Sequence, residues 1–203
     1  ISSHMMNVEA QIKVLGKTSN SEVLEMITKS TSILDYMSIT IDDFRHFFAK
    51  DQKKTSFKIS SRFNSVLNII SNALNNKNIK LDIILKDNPT LHGYPNDFSQ
   101  VLINIIINAK DMLIHRKIGA GHIEIKVTQE DNQCIVTITD NAGGIKVNPI
   151  EQIFEPMYSE EKKDGTGIGL FMSKYIIEEK MQGQIKATNN QNGAIFSIII
   201  PIN

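Results

Sequence analysis

The sequence predicts an α+β protein in two parts: a helical hairpin over residues 1–50 and a separate α+β domain over residues 55–203. Three observations predict this. Apolar residues recur at heptad spacing through the first fifty positions. Helix-like and strand-like stretches then alternate to the last residue. Between the two parts, residues 49–57, AKDQKKTSF, read as a polar linker.

In the first part, Ile1, Met5, Val8, Ile12 and Leu15 are already in register at the first residue, with no capping sequence ahead of them. This helix is therefore expected to start upstream of residue 1, although Ser3-His4-Met5 equally fits a cloning remnant. Gly16 ends it, and Ser19 with Glu22 forms a capping box for the next helix. There Val23, Ile27, Ser30, Leu34, Met37, Ile41, Phe44 and Phe48 alternate by four and three, the seam of a bundle or coiled coil. A hairpin cannot bury two apolar stripes by itself. Pairing with a second copy into a homodimeric four-helix bundle completes it, and so would packing on the C-terminal domain.

In the second part, Phe63, Val66, Leu67, Ile70 and Leu74 predict a helix over residues 60–75. Residues 79–85 follow as a strand, and Asn88-Pro89 turns away from it. Residues 123–129 and 134–139 alternate as two strands about a turn at Asp131-Asn132. A helix over 169–181 and strands over 184–188 and 194–200 close the domain.

Residues 97–113, DFSQVLINIIINAKDML, form its central helix. Gln100, Asn104, Asn108 and Asp111 fall on one face, and nearly everything else is Val, Leu, Ile or Ala. A polar stripe on a buried helix is costly unless it meets partners. Either these are satisfied core hydrogen bonds, or they form a ligand site that wants oxygen donors, such as a hydrated magnesium ion carrying phosphates.

Composition narrows the function. With 22 basic and 22 acidic residues the formal net charge is zero, so charge supports no nucleic-acid partner and no membrane-surface attraction. A single cysteine, Cys134, excludes an internal disulfide and fits a reducing compartment. With no membrane-length apolar run and no signal peptide, the expected location is cytoplasmic, with a membrane reached only through a sensor segment outside this sequence.

Three features follow the central helix. Asp140-Asn141-Ala142-Gly143-Gly144-Ile145 stands at a strand exit, where a carboxylate could accept from an exocyclic amine and small residues would let a planar ligand approach; alone, such a run is most often just a turn. Gly165-Thr166-Gly167-Ile168-Gly169-Leu170 leads into a helix, where freed backbone amides could hold phosphate oxygens. It has neither the dinucleotide spacing nor the lysine of a Walker loop. Between them, Phe154-Glu155-Pro156-Met157-Tyr158-Ser159 and the polar segment to Asp164 fit a mobile lid as well as an inert solvated loop.

The order and spacing of these pieces are more specific than any one of them. Together they resemble the ATP-binding domain of sensor histidine kinases, in the GHKL superfamily that also holds type II topoisomerases, mismatch-repair ATPases and a heat-shock chaperone. Asn104 and Asn108 match the N box, Asp140 to Gly144 the first glycine box, Phe154 to Tyr158 the F box, and Gly165 to Gly169 the second glycine box. Gly193-Ala194-Ile195-Phe196 resembles the late glycine-and-phenylalanine strand. Met37 to Phe48 is similar to the second dimerisation helix of one histidine kinase subgroup.

The resemblance implies an α/β sandwich with a mixed sheet on one face and helices on the other, and ATP and Mg2+ as cofactors. It implies adenine on Asp140 and Ile145, magnesium on Asn108, and the triphosphate along Thr166, Gly167 and Gly169. Asn104, Asp111, Gly144, Tyr158, Ile168 and Leu170 complete the implied nucleotide site. The γ-phosphoryl would pass to a histidine of the dimer and on to a response regulator receiver domain.

Two departures stand out. The subgroup's phosphoacceptor lies on its first helix in a His-Gln-Trp-Arg-Gln-Pro-Leu type motif, and no such motif stands here. His4 precedes Met5-Met6-Asn7-Val8, and His46 is on the second helix. No catalytic residue is therefore identified, and the chain is expected to bind ATP without autophosphorylating. The other departure is Ala142, where the box usually has its first glycine, tolerable unless a positive φ is needed. Two further readings stand beside this one. An anti-sigma-type serine kinase is opposed by the heptads from Val23 to Phe48, and a dimeric module with a dead nucleotide site by the intact asparagines.

Overall fold

A computed structural model describes residues 53–158 and 167–202. The chain divides into two units, Ile1–Lys50 and Asp51–Asn203, and the described residues belong to the second. The hairpin expected over residues 1–50, with His4 and His46, lies outside the described residues, as do Gly165, Thr166 and the polar segment before them.

In chain order the elements are β1 (Thr55–Lys58), α1 (Ile59–Asn75), β2 (Lys80–Leu85), β3 (Thr90–Gly93) and α2 (Pro95–His115). Strands β4 (His122–Glu130) and β5 (Gln133–Asp140) follow, then a short 3-10 helix at Ile150–Phe154. Helix α3 (Gly169–Tyr175) runs on into a π-helical turn at Ile176–Lys180, and β6 (Gln184–Asn189) and β7 (Ala194–Pro201) end the domain. The expected helix over 169–181 is thus present but changes its winding at Ile176.

The linker expected over 49–57 is shorter than its composition implies. Thr55–Lys58 is a strand, paired antiparallel with β3 so that Phe57 stands opposite Leu91. Phe57 is buried, its ring 5.9 Å from that of Phe98. One inward residue among polar neighbours suffices for a strand this short, and β3 likewise buries Leu91 between exposed Thr90 and His92. The turn at Asn88-Pro89 does more than reverse the chain. Asn88 Oδ1 accepts the Ser60 N–H at 3.1 Å and the Pro89 carbonyl accepts the Ile59 N–H at 3.2 Å, so a distant turn caps α1, which has no side-chain cap of its own.

Five strands form a mixed sheet in the order β2-β4-β5-β7-β6, with β2 parallel to β4 and every other pair antiparallel. Ile125 pairs with Ile138, Val127 with Val136, and these in turn with Phe196 and Ile198, all buried on one face. Burying each such side chain stabilises by about 1.5–3 kcal/mol, which fixes the strand register, since a one-residue slip would turn the whole row outward. This is the expected sandwich of a mixed sheet and helices. Helix α2 packs between α1 and α3 and buries Phe98, Val101, Leu102, Ile105, Ile106, Ala109 and Leu113. Pro95 starts it, and buried Asp97 in its first turn is ion-paired to Lys180, which also lies over the Tyr94 ring. Among the described residues no helix is long and apolar enough to cross a membrane.

Candidate functional site

Asp140 is the last residue of β5 and only 7% exposed. Its Oδ1 accepts the backbone N–H of Ala142 at 2.8 Å and that of Ala194 at 3.2 Å. Among the described residues no hydrogen bond reaches Oδ2. Burial pushes the carboxyl above the ordinary carboxylate range, against the pull of those two N–H groups and of the Arg116 charge. A buried acceptor with one oxygen committed and the other open is a receptor for a hydrogen-bond donor.

The turn after Asp140 is held from three sides. Asn141 bridges to the preceding loop, its Nδ2 donating to the Ala120 carbonyl and its Oδ1 accepting the His122 N–H, both at 2.8 Å. Arg116 Nη1 donates to the carbonyls of Ala142 and Gly144, each at 2.7 Å. Asn189 takes both backbone groups of Ile145, accepting from its N–H and donating to its carbonyl, each at 2.7 Å. Gly143 and Gly144 have φ of +90° and +77°, whereas Ala142 is not among the positive-φ residues. The alanine therefore sits where any small L-residue fits, and the departure at this position brings no backbone strain.

Asn104, from the middle of α2, donates through Nδ2 to the Gly169 carbonyl at 3.1 Å and toward Ser173 Oγ at 3.4 Å. Gln100 donates to its Oδ1 at 3.0 Å. The Gly169 carbonyl also accepts from Ser173 Oγ, which is fully buried. Two members of the helix stripe thus hold the start of α3, so Asn104 reads first as a satisfied structural amide. Asn108 and Asp111 are half-buried one and two turns further on, and Asp111 Oδ1 is 3.2 Å from Lys110 Nζ. Among the described residues no three His, Cys, Asp or Glu side chains gather where they could hold a metal ion. An asparagine oxygen is nevertheless a suitable single protein ligand for magnesium, which keeps most of its waters and takes phosphate oxygens.

Gly167 and Met157 bring the two loops together. Gly167 has φ +65°, and a Cβ there would lie 2.4 Å from the Met157 carbonyl carbon. Ile168 is buried beside it, Leu170 is half-buried on the first turn of α3, and Tyr158 is half-buried just after Met157. Phe154 packs edge-on against Phe196 at 6.4 Å, with Lys174 Nζ 5.8 Å from its ring centre, so the F-box phenylalanine is a core residue that anchors the loop. The structure therefore forms two clusters on α2: Asp140 to Ile145 at its C-terminal end, and Gly167 to Leu170 near Asn104. From Asn104 to Arg116 the helix rises about 18 Å.

Sequence reasoning missed Arg116, Asn141 and Asn189. Asn141 lay inside a recognised turn, but Arg116 is just past the helix in a charged run and Asn189 in an asparagine-rich turn, where composition reads as surface.

The family model described as histidine kinase-, DNA gyrase B-, and HSP90-like ATPase matches residues 93–203. Sensor histidine kinase ZraS of Salmonella typhimurium is 32% identical over 139 residues, covering 67% of this chain and 29% of that protein. The catalytic domain of histidine kinase ThkA has a TM-score of 0.64 at 26% identity, over 74% of this chain and 96% of that one. Histidine kinase ThkA in complex with the response regulator protein TrrA shares the fold at a TM-score of 0.67 and 18% identity, over 100% of this chain and 57% of that one. The chain spans less than a third of the length of the curated relatives it matches. With more than half of its residues under that family model, and sensor histidine kinases among its relatives, the chain belongs to the histidine kinase-, DNA gyrase B- and HSP90-like ATPase family.

Proposed function

We propose that this domain binds Mg-ATP and presents its γ-phosphoryl to a histidine, as the catalytic part of a sensor histidine kinase. The observation that carries this is the buried Asp140 carboxylate, with Oδ1 tied to Ala142 and Ala194 and Oδ2 open to a donor such as an adenine amino group. Ile145 and Gly144 form the backbone edge beside it, and Ala142 is buried next to the carboxylate. Asn108 supplies an oxygen to magnesium, with Asp111 one turn on. The backbone of Gly167, Ile168 and Gly169 faces the phosphates, with Leu170 and Tyr158 flanking them, and Thr166 joins the site by its place in the motif. Bound Mg-ATP supplies the transferable phosphoryl group and neutralises its charge. The protein's own part is positioning and charge stabilisation.

The complex of ThkA with the response regulator protein TrrA supports a receiver domain as the partner that accepts the phosphoryl group. The heptads over residues 1–50 support a homodimer through that hairpin, and the single cysteine, Cys134, supports a reducing, cytoplasmic setting. With no phosphoacceptor motif in the sequence, this chain binds ATP without labelling itself. Radiolabel from γ-labelled ATP on His4 or His46 would overturn that point.

The test of the site is thermal unfolding with and without Mg-ATP, for the chain and for Asp140→Asn. The asparagine can keep the two backbone bonds through its oxygen, but it turns an amide donor toward the ligand's donor. A ligand at 100 times its dissociation constant stabilises the chain by about 2.7 kcal/mol, and the variant should lose most of that shift. Equal shifts in both proteins would remove Asp140 from the site, and no shift in the native chain would remove ATP binding.

A further inference from the structure

Arg116 has no part in the resemblance that identifies the site, yet it ties the turn after Asp140 to the end of α2. It is the C-terminal cap residue of α2, its own N–H bound to the Met112 carbonyl at 2.9 Å. From that fixed point its Nη1 reaches the carbonyls of Ala142 and Gly144. A turn with two successive positive-φ residues, Gly143 and Gly144, brings the carbonyls on either side of Gly143 to a single donor. A planar, always charged guanidinium suits that arrangement. The fit is close: a Cβ at Gly143 would stand 3.4 Å from the same Nη1.

We infer that Arg116 is a positioning residue for base recognition: it fixes the Ala142–Gly144 turn against α2 and so holds Asp140 and Ile145 in register with a purine that offers an amino group. The inference rests on the ATP reading above and deepens it. Asn189 closes the same turn from the other side, but it is neutral and its side-chain hydrogen bonds go to the backbone of Ile145. The Arg116 charge also acts on Asp140, favouring its ionised form against burial. Without Arg116, two carbonyls lose a charge-assisted donor and the buried carboxylate loses its compensating charge. The Gly169 carbonyl, at the start of α3, is tied instead to Asn104 and Ser173, about 18 Å along α2 from Arg116.

This separation supplies the test. Affinities for Mg-ATP and Mg-ITP, the second lacking the 6-amino group, are measured by calorimetry on the native chain, on Arg116→Met and on Arg116→Lys. Arg116→Met should weaken ATP binding by about tenfold and ITP binding much less, collapsing the preference between them, since one lost charged contact is about 1.4 kcal/mol. Arg116→Lys should recover part of that preference. Should the methionine variant fail to fold, Arg116→Gln, which keeps a donor without the charge, is read the same way. Equal losses for both nucleotides would show a merely structural residue and overturn the inference, as would an unchanged preference. Native protein that binds neither nucleotide would overturn the ATP reading itself, and this inference with it.

Discussion

Gly193 lies so close to Asp140 that a Cβ on it would stand 1.9 Å from the Asp140 carbonyl oxygen and 2.7 Å from its Oδ1. The two residues belong to different strand ends, and the turn between β6 and β7 closes over the carboxylate that the site depends on. Asn190 Oδ1 accepts the Gly193 N–H at 2.7 Å, and the Asn192 carbonyl accepts the Gly143 N–H at 2.9 Å. The late glycine is therefore part of the same structure as the first glycine turn, although fifty residues separate them.

Gly193→Ala should for this reason damage both stability and binding. The clash is with backbone, so no rotamer change relieves it, and the cost should be at the upper end of the overpacking range of about 1–3 kcal/mol. The Mg-ATP shift should fall with it. Gly119→Ala is the control, since nothing lies within 4 Å of a Cβ there, and it should stay within about 0.5 kcal/mol of the native chain. Urea midpoints for the two variants decide this; similar midpoints would mean the turn yields freely.

Asn104 gives a prediction with an internal order. Asn104→Ala removes one donor from the Gly169 carbonyl but leaves Ser173 Oγ bonded to it, so the loss should be about 1 kcal/mol. Asn104→Asp places a carboxylate against that carbonyl and should cost more, about 1–3 kcal/mol. Denaturant unfolding at constant slope measures both. An aspartate variant as stable as the alanine variant would show that the amide does not hold α3 in place.

How far the sequence shows all this depends on the range of the interaction. Heptad-like and alternating patterns give α2, β4, β5 and β7 nearly to the residue, because each buries a full face against one layer. The pattern fails at β1 and β3, where a single inward residue, Phe57 or Leu91, carries the strand. Asp140 is legible because its turn stands in order and spacing with the asparagine-striped helix and the second glycine loop, since alone it would read as an ordinary turn. Arg116 and Asn189 are not, because what they bind is backbone, and backbone carbonyls leave no mark in a sequence. Asn104 is legible as a residue that matters, but composition cannot tell an amide that holds a helix from one that holds a metal. The hairpin and Thr166 lie outside the described residues and stay as sequence expectations.

Cys134 should be inert in the folded chain. It is fully buried on β5, and burial, with a smaller contribution from the charge of Asp87, pushes its thiol up to about 12. Almost no thiolate then exists at pH 8, where an ordinary thiol near 8.5 is already partly ionised. Iodoacetamide at pH 8 should leave the native protein unmodified by mass spectrometry and label it fully in concentrated urea. Rapid labelling of the native chain would mean that β5 opens far more readily than a central strand should.

The Asp140 carboxyl gives opposite pH slopes for stability and for binding. Its folded pKa is raised, so between the unfolded value near 3.9 and the folded one the native state binds a proton that the unfolded chain has lost. The Asp140 contribution to stability therefore falls as pH rises through that window, and the penalty of the buried charge is fully present above it. ATP binding runs the other way, because protonation removes the charge that attracts the purine amino group, so affinity should decline as pH drops into the same window. Calorimetric affinities and urea midpoints, compared across pH for the native chain and Asp140→Asn, separate these effects from every other carboxylate. Both differences should vanish in the variant's own profile, and an affinity for ATP that falls equally with acid in both proteins would place the titrating group elsewhere.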